Sequence, residues 1–409
     1  MPHLSNTDGD GPARGSVAMR ILYASERPSY PFFLGGAARC THQLLSKLSG
    51  ELDVSCAAVG SEDYAVTLWS YPEESEYAAL GVQGVDRNGR GTLVNCSYPV
   101  RILPEFRSAV QDLLSEFRPD ILWTQLEGAR WLLELARSRG IQSVYFVHDS
   151  ETPPAELRSI ADLGCRIVCS SRFVADKTQQ IVGRRTHVVY PCPNVYFDTE
   201  GDPNGYLTMI NPSRVKGLPT FIEVARCLPA EKFLLVESWK LTDAHFAELR
   251  QTLRQVPNVR LVRRVLDMRS IYAQTRLLLV PSIWEEGFGM VVVEAQSCRI
   301  PVVASARGGL PESVGDGGVL IQRYKDADAW VAVIQDLLGN RRNYDELAGR
   351  ALRHAHAEEF TASCSARRFL EVCSGPVSRG SAYARGISAL ISGIARVPGL
   401  KALLRHWAR

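Results

Sequence analysis

Short apolar runs alternate with amphipathic stretches along most of the chain. Arg20–Ser25 (RILYAS) is an apolar run bounded by polar residues and predicts a strand. A Pro/Gly loop from Arg27 to Gly36 and a helical pattern to about Leu48 follow, then a second strand at 52–59. Residues 60–100 have weak periodicity and predict loops, a short hairpin or both. Regularity returns with helices near 105–117, 128–139 and 172–182 and strands at 120–124, 143–147, 166–170 and 186–190. The turn-forming stretch DTEGDPNG at 198–205 marks a linker. After it the rhythm restarts, with strands at 206–210, 233–237, 259–263, 276–281 and 300–305. Helical patterns fill the gaps near 217–227, 243–255, 268–274 and 289–298, and two more follow at 327–338 and 341–356. Strands and helices at this spacing predict an α/β protein whose mostly parallel sheets are covered on both faces. The linker divides it into two doubly wound domains, 19–197 and 198–350, with helices or a basic tail over 351–409. Ligands of such sheets sit beyond the C-terminal strand ends, which places the site in the cleft between the domains.

Composition narrows the picture in two ways. With 47 basic and 44 acidic residues the formal net charge is +3, which makes no case for a nucleic-acid binder. The ten cysteines are scattered, mostly in apolar runs, and form no C-x-x-C pair, so they read as reduced core thiols. No window approaches the roughly 18 consecutive apolar residues of a membrane-spanning helix. Residues 1–18 are polar, lack the apolar core of a secretory signal and read as a disordered leader, making the cytoplasm the expected compartment. The tail from 377 to 409 carries six Arg and Lys residues and no acid, with apolar residues spaced as helix faces. It suits peripheral contact with the anionic inner membrane face; the other reading is a helix packed back on the body.

The segment 277–312, LLLVPSIWEEGFGMVVVEAQSCRIPVVASARGGLPE, reads strand, loop, helix, strand, loop. Gly287 and Gly289 flank Phe288 where the helix begins and allow close approach of the backbone to a ligand. The free N–H groups and dipole of a helix N-terminus favour phosphate. Glu286 stands in the loop before the helix and Glu294 about two turns inside it, placing one carboxylate near the phosphate end and one deeper. Carboxylates accept hydrogen bonds from sugar hydroxyls. A Glu in a helix between two apolar strands needs a polar partner if buried.

This segment resembles the E-x7-E signature of glycosyltransferase family 4 and its GT-B-fold relatives. The matching positions are Pro281, Ser282, Glu286, Gly287, Phe288, Gly289, Glu294, Ala295, Pro301, Val302, Val303, Gly308 and Gly309. The likeness extends over about residues 20–350, through Gly35-Gly36 after the first strand, His148 in YFVHD and Lys216-Gly217 opening the second domain's first helix. It implies a GT-B fold and a retaining transfer of a sugar from a nucleotide diphosphate sugar, UDP- favoured over GDP-, to a glycan, lipid-linked or small-molecule acceptor. It also assigns roles. Gly35 and Gly36 let the loop backbone approach the diphosphate and acceptor; His148 touches the donor sugar; Lys216 neutralises the diphosphate. Glu286 holds a sugar hydroxyl, Glu294 holds the ribose hydroxyls, and the amides around Gly287, Phe288 and Gly289 grip the donor. The segment that carries the likeness contains no D-x-D metal motif, and the resemblance implies that no metal or other cofactor is needed.

Two departures stand out. The family's usual Arg five residues before the Lys is Asn211 here, with Arg214 nearby to compensate, and a usual Gly after the third strand of the second domain is Arg263. They fit an alternative reading, a non-catalytic nucleotide-sugar-binding partner subunit. A dinucleotide-dependent oxidoreductase is disfavoured, because ERPSYPFFLGGAARC after Ser25 has no G-x-G-x-x-G spacing. For the acceptor, Trp69, Tyr71, Tyr77 and Tyr98 stand as aromatics that stack on a sugar or pack in the core.

Overall fold

The computed structural model describes residues 19–375, apart from 53, 63–73, 90 and 239–240. The leader at 1–18, the basic tail at 377–409, Trp69 and Tyr71 lie outside the described residues.

The first domain is built on β1 (Arg20–Ser25), β2 (Ser55–Ser61), β3 (Val85–Asn88), β4 (Gly91–Asn95), β5 (Pro99–Leu103), β6 (Ile121–Gln125), β7 (Gln142–Val147), β8 (Arg166–Cys169) and β9 (His187–Val188). Its helices are α1 (Gly36–Glu51), α2 (Phe106–Phe117), α3 (Ala129–Ser138), α4 (Pro154–Asp162) and α5 (Arg172–Val182). Sheet order is β3-β4-β5-β2-β1-β6-β7-β8-β9, parallel except for the antiparallel β3-β4 and β4-β5 pairs at one edge. That edge is what 60–100 holds. β3 is mostly exposed, so it shows no apolar run to read.

The second domain contains β10 (Tyr206–Ile210), β11 (Phe233–Val236), β12 (Val259–Val262), β13 (Thr275–Val280), β14 (Val302–Ser305) and β15 (Gly318–Ile321). Around them lie α6 (Leu218–Cys227), α7 (Asp243–Thr252), α8 (Arg269–Tyr272), α9 (Met290–Ser297), α10 (Leu310–Val314), α11 (Ala327–Gly339) and α12 (Arg341–Ala355). The order β12-β11-β10-β13-β14-β15 is all parallel, the doubly wound arrangement with its reversal between β10 and β13. Strands such as Phe233–Val236 and Val302–Ser305 are buried throughout, as covering helices on both faces require.

A last helix, α13 (Ala362–Ser374), returns to the first domain. Ala366, Phe369 and Cys373 join that domain's core, and the Phe369 ring lies 4.6 Å from that of Trp123. The second domain is thereby followed by a helix that belongs to the first. All ten cysteines are free thiols, and all but Cys227 are buried.

Candidate functional site

The reversal points of the two sheets lie between β1 and β6 and between β10 and β13, so the loops leaving these strands form the cleft walls. In the second domain two loops are stitched together: the Ile283 and Trp284 amides both donate to Val215 O, at 3.0 and 3.1 Å. Gly217 has φ +89°, and a Cβ there would overlap Pro281 O, so only glycine permits this packing. The result brings Lys216 and Glu286 together: Nζ lies 2.7 Å from both carboxylate oxygens, in a pair mostly shielded from water.

Asn211, the residue in place of the family's Arg, is buried with φ +74°. Its amide donates to Val236 O at 2.8 Å and its carbonyl accepts from Ser213 N at 2.9 Å. Asn tolerates this left-handed turn better than other non-glycine residues, which gives the substitution a backbone reason. Arg214 is exposed at the lip of the same loop.

Glu294 is 9% exposed and receives the Tyr272 hydroxyl at 2.9 Å. Burial raises its pKa; the Tyr272 hydrogen bond and the Arg39 charge oppose that shift. Tyr272 is thus the polar partner that a Glu in this helix requires. α9 starts at Met290, so Glu294 lies one turn inside it and not two, because Gly289 at φ +90° is still the cap. Phe288 contributes no side chain to the cleft: it is 3% exposed and packs between Tyr190 and Phe360, at 5.3 and 5.5 Å. Only its backbone faces a ligand role.

On the first domain, Gly35 caps α1 and Gly36 opens it. A Cβ on Gly36 would come 3.2 Å from Met290 Cε, so the side-chain tip of the first residue of α9 reaches the start of α1 across the cleft. Each helix N-terminus facing the cleft favours an anion. His148 follows β7, stacks on Phe146 at 4.4 Å, and its Nε2 lies 2.6 Å from Gln125 Oε1. A carbonyl oxygen only accepts, so Nε2 carries the proton and Nδ1 is left as an acceptor. Burial drives the His148 pKa down to about 3, keeping the ring neutral. Gln125 is itself buried, with the Thr41 hydroxyl 3.1 Å from the same oxygen.

A test of that pair is Gln125→Glu. The wild-type ring stays neutral above about pH 3, so activity should show no acid limb from it between pH 5 and 8. A carboxylate beside Nε2 favours the imidazolium, raising the histidine pKa toward its ordinary value of about 6.5. Protonation then converts Nδ1 from acceptor to donor, so activity should fall as pH drops through that value and recover above it. Gln125→Leu should lower activity with no new limb. A flat profile for Gln125→Glu would rule out this arrangement.

The domains meet tightly at this site. A Cβ on Gly287 would overlap His148 O, which also accepts from Ser170 Oγ at 2.8 Å. Glu285 pairs with Lys177 across the cleft, and this bond depresses its pKa. Glu312, in α10, accepts from the Arg172 and Phe173 amides of α5 at 2.9 and 2.7 Å and from Tyr190 Oη at 3.0 Å. None of Tyr272, Gln125 or Glu312 carried a sequence signal.

Arg263 turns away onto its own domain, reaching Glu237 at 3.3 Å, Asp243 at 2.7 Å and the Phe246 ring at 3.6 Å. Glu237, 3% exposed, also accepts the Leu241 and Arg264 amides at 2.6 and 3.0 Å, fixing the loops beyond β11 and β12. Tyr98 is core, its hydroxyl 3.0 Å from His42 Nδ1, and Tyr77 packs edge-on against Phe32. Among the described residues no three His, Cys, Asp or Glu side chains converge as a metal site. No helix among the described residues is long and apolar enough to cross a membrane.

Two facing Rossmann-like domains with this cleft define the GT-B fold, and solved structures agree. Anabaena HepE in complex with UDP-glucose superposes with a TM-score of 0.69 at 18% identity, over 87% of this chain and 99% of that one. Sucrose-phosphate synthase from Thermosynechococcus elongatus gives 0.68 at 17% identity, over 91% and 100%. In sequence, residues 205–340 match the family described as glycosyl transferases group 1. D-inositol 3-phosphate glycosyltransferase from Thermomonospora curvata is 40% identical over 118 residues, 28% of this chain and 26% of that protein. The Corynebacterium kroppenstedtii protein of the same name is 32% identical over 139 residues, 33% of this chain and 30% of that one. The matches therefore span less than a third of these relatives' length.

Proposed function

We propose that the chain is a retaining glycosyltransferase of family 4. It moves a sugar from a nucleotide diphosphate sugar, with UDP as the nucleotide, to a hydroxyl of a glycan, lipid-linked or small-molecule acceptor. The observation that carries this reading is that three separate segments bring candidate groups to the cleft: Lys216 pairs with Glu286, His148 O packs against Gly287, and Glu294, held by Tyr272, lies in the helix that follows. The UDP-glucose bound to HepE supports the choice of nucleotide.

In the transfer, the bond from the anomeric carbon to the diphosphate breaks and its electrons pass to the leaving group. The acceptor oxygen bonds to that carbon and passes its proton to the departing diphosphate oxygen. Lys216 and the helix amides stabilise the charge that builds on the diphosphate, where no metal is expected. Exposed Arg214 stands in for the missing family Arg. Neutral His148 accepts a donor-sugar hydroxyl at Nδ1, Glu286 accepts another, and Glu294 takes the ribose hydroxyls. The free thiols suit a cytoplasmic setting.

The test is thermal-shift binding of UDP, GDP, ADP, TDP and NAD without added metal. A ligand at about 100 times its Kd stabilises the folded state by about 2.7 kcal/mol, an easily measured rise in Tm. UDP should give this rise, and Glu294→Ala should remove it. A shift with NAD alone would overturn the reading. UDP binding without transfer to any acceptor would favour a non-catalytic subunit.

A further inference from the structure

A second cavity, of about 810 Å³, lies between the domains on the linker side. It is walled by α1, the segment 193–197 that ends the first domain, the loop before α8, and the junction of α12 with α13. Among the described residues the exposed large apolar side chains are Val195, Phe197, Val215 and Ile283, and two of these four line this cavity. Phe197 is 46% exposed and stacks on the His356 ring, 3.9 Å away and 11° from parallel. An aromatic ring braced from behind and open in front is a flat apolar plate. Free energy favours covering it.

The charged groups of the lining are balanced. Lys47 is paired with Glu51, and Arg269 sits 3.4 Å from Asp267 and 3.7 Å from Asp198. No net field remains to select an anion, so nucleotides and phosphates are poor occupants. The Ser46 and Ser363 hydroxyls, the Asn194 amide and the Gln43 amide border the plate. Gln43 gives its N–H to Asn194 Oδ1, and its buried Oε1 has no hydrogen-bond partner among the described residues. A buried unpaired acceptor in a cavity wall calls for a donor. The ligand that fits is neutral, has one flat apolar face and is rimmed by hydroxyl donors and acceptors. A pyranose ring has that form: its axial C–H groups present the face and its hydroxyls the rim.

We propose that this cavity is a second carbohydrate site, seating a neutral sugar ring on Phe197. It shares a wall with the candidate donor site. The Tyr196 amide donates to Ser297 Oγ at 2.8 Å, and the Tyr196 ring packs 5.7 Å from Tyr272, which holds Glu294. The sugar comes either from a remote ring of the acceptor glycan or from a free saccharide that acts as an effector.

Saturation-transfer NMR on the full chain tests this with methyl α-glucoside, methyl α-mannoside, methyl α-galactoside and maltotriose at millimolar concentration. At least one should show ring-proton signals with the wild type, unchanged by saturating UDP. Phe197→Ala should weaken binding roughly ten-fold, the loss of one stacking contact, while Phe197→Trp retains it. Silence from all four sugars, equal signals with Phe197→Ala, or displacement by UDP would each overturn the proposal. Adding UDP-glucose separates the two sources: an acceptor ring is found in an elongated product, an effector is recovered unchanged and alters turnover. Sugar binding does not depend on transfer, so a protein that binds these sugars but not UDP would refute the transferase reading alone.

Discussion

Lys216→Ala is expected to lower kcat by about 10²–10³, the usual cost of deleting one preorganised charge from a developing anion. It should also cost some stability, because Lys216 Nζ lies 2.7 Å from both oxygens of Glu286 in a pair largely withdrawn from water. Removing one member of a shielded ion pair leaves the other uncompensated, here at a cost of about 2 kcal/mol. The two losses separate in the double variant Lys216→Ala/Glu286→Gln. Neutralising Glu286 should restore the melting temperature toward wild type, because no lone charge remains. Turnover should stay low, because the leaving group still lacks its cation. If Lys216 served only to neutralise Glu286, the double variant would turn over as fast as Glu286→Gln alone. Steady-state rates and melting curves on Lys216→Ala, Glu286→Gln and the double variant decide the matter, Glu286→Gln alone giving the loss that belongs to the carboxylate.

The parts of this site that were legible in the sequence share one property: their signal is local. The E-x7-E spacing, the glycines around Phe288 and the Lys216-Gly217 pair each follow a strand that reads as an apolar run, so position along the chain already implies position in the cleft. What was illegible is made by tertiary contact. Tyr272 meets Glu294 from a helix of four residues, and Gln125 meets His148 from the neighbouring strand end. Neither pair has a spacing that periodicity could flag. The β3–β5 edge was unreadable for a different reason, since half-exposed antiparallel strands carry little apolar pattern, and β15 is only four residues long. Asn211 shows how a correct observation can carry the wrong emphasis. Counted as a lost charge it weakens the site, whereas its φ of +74° shows a residue chosen also for the turn it makes.

Glu312 bridges the two domains, and closure of the cleft is expected to depend on it. The first turn of α5 has backbone N–H groups with no partner inside the helix. Ser171 Oγ takes the Val174 amide at 3.1 Å, within the first domain. The Arg172 and Phe173 amides are taken instead by Glu312, from the second domain. One carboxylate therefore completes a helix of the opposite domain and also receives the Tyr190 hydroxyl. On opening, water replaces these bonds, so the net contribution to closure is well below their sum, about 2 kcal/mol. That corresponds to roughly thirty-fold in the closed-to-open ratio. Glu312→Ala should accordingly lower kcat/KM by about that factor, and small-angle scattering should show a larger radius of gyration that UDP only partly reduces. The core of each domain is untouched, so the melting temperature should move little. Tyr190→Phe removes only one of the three bonds and should fall between the wild type and Glu312→Ala. Unchanged scattering and kinetics in Glu312→Ala would mean that closure is held elsewhere, by the Lys177–Glu285 pair and the Phe288 packing, and that the α5 cap is only structural.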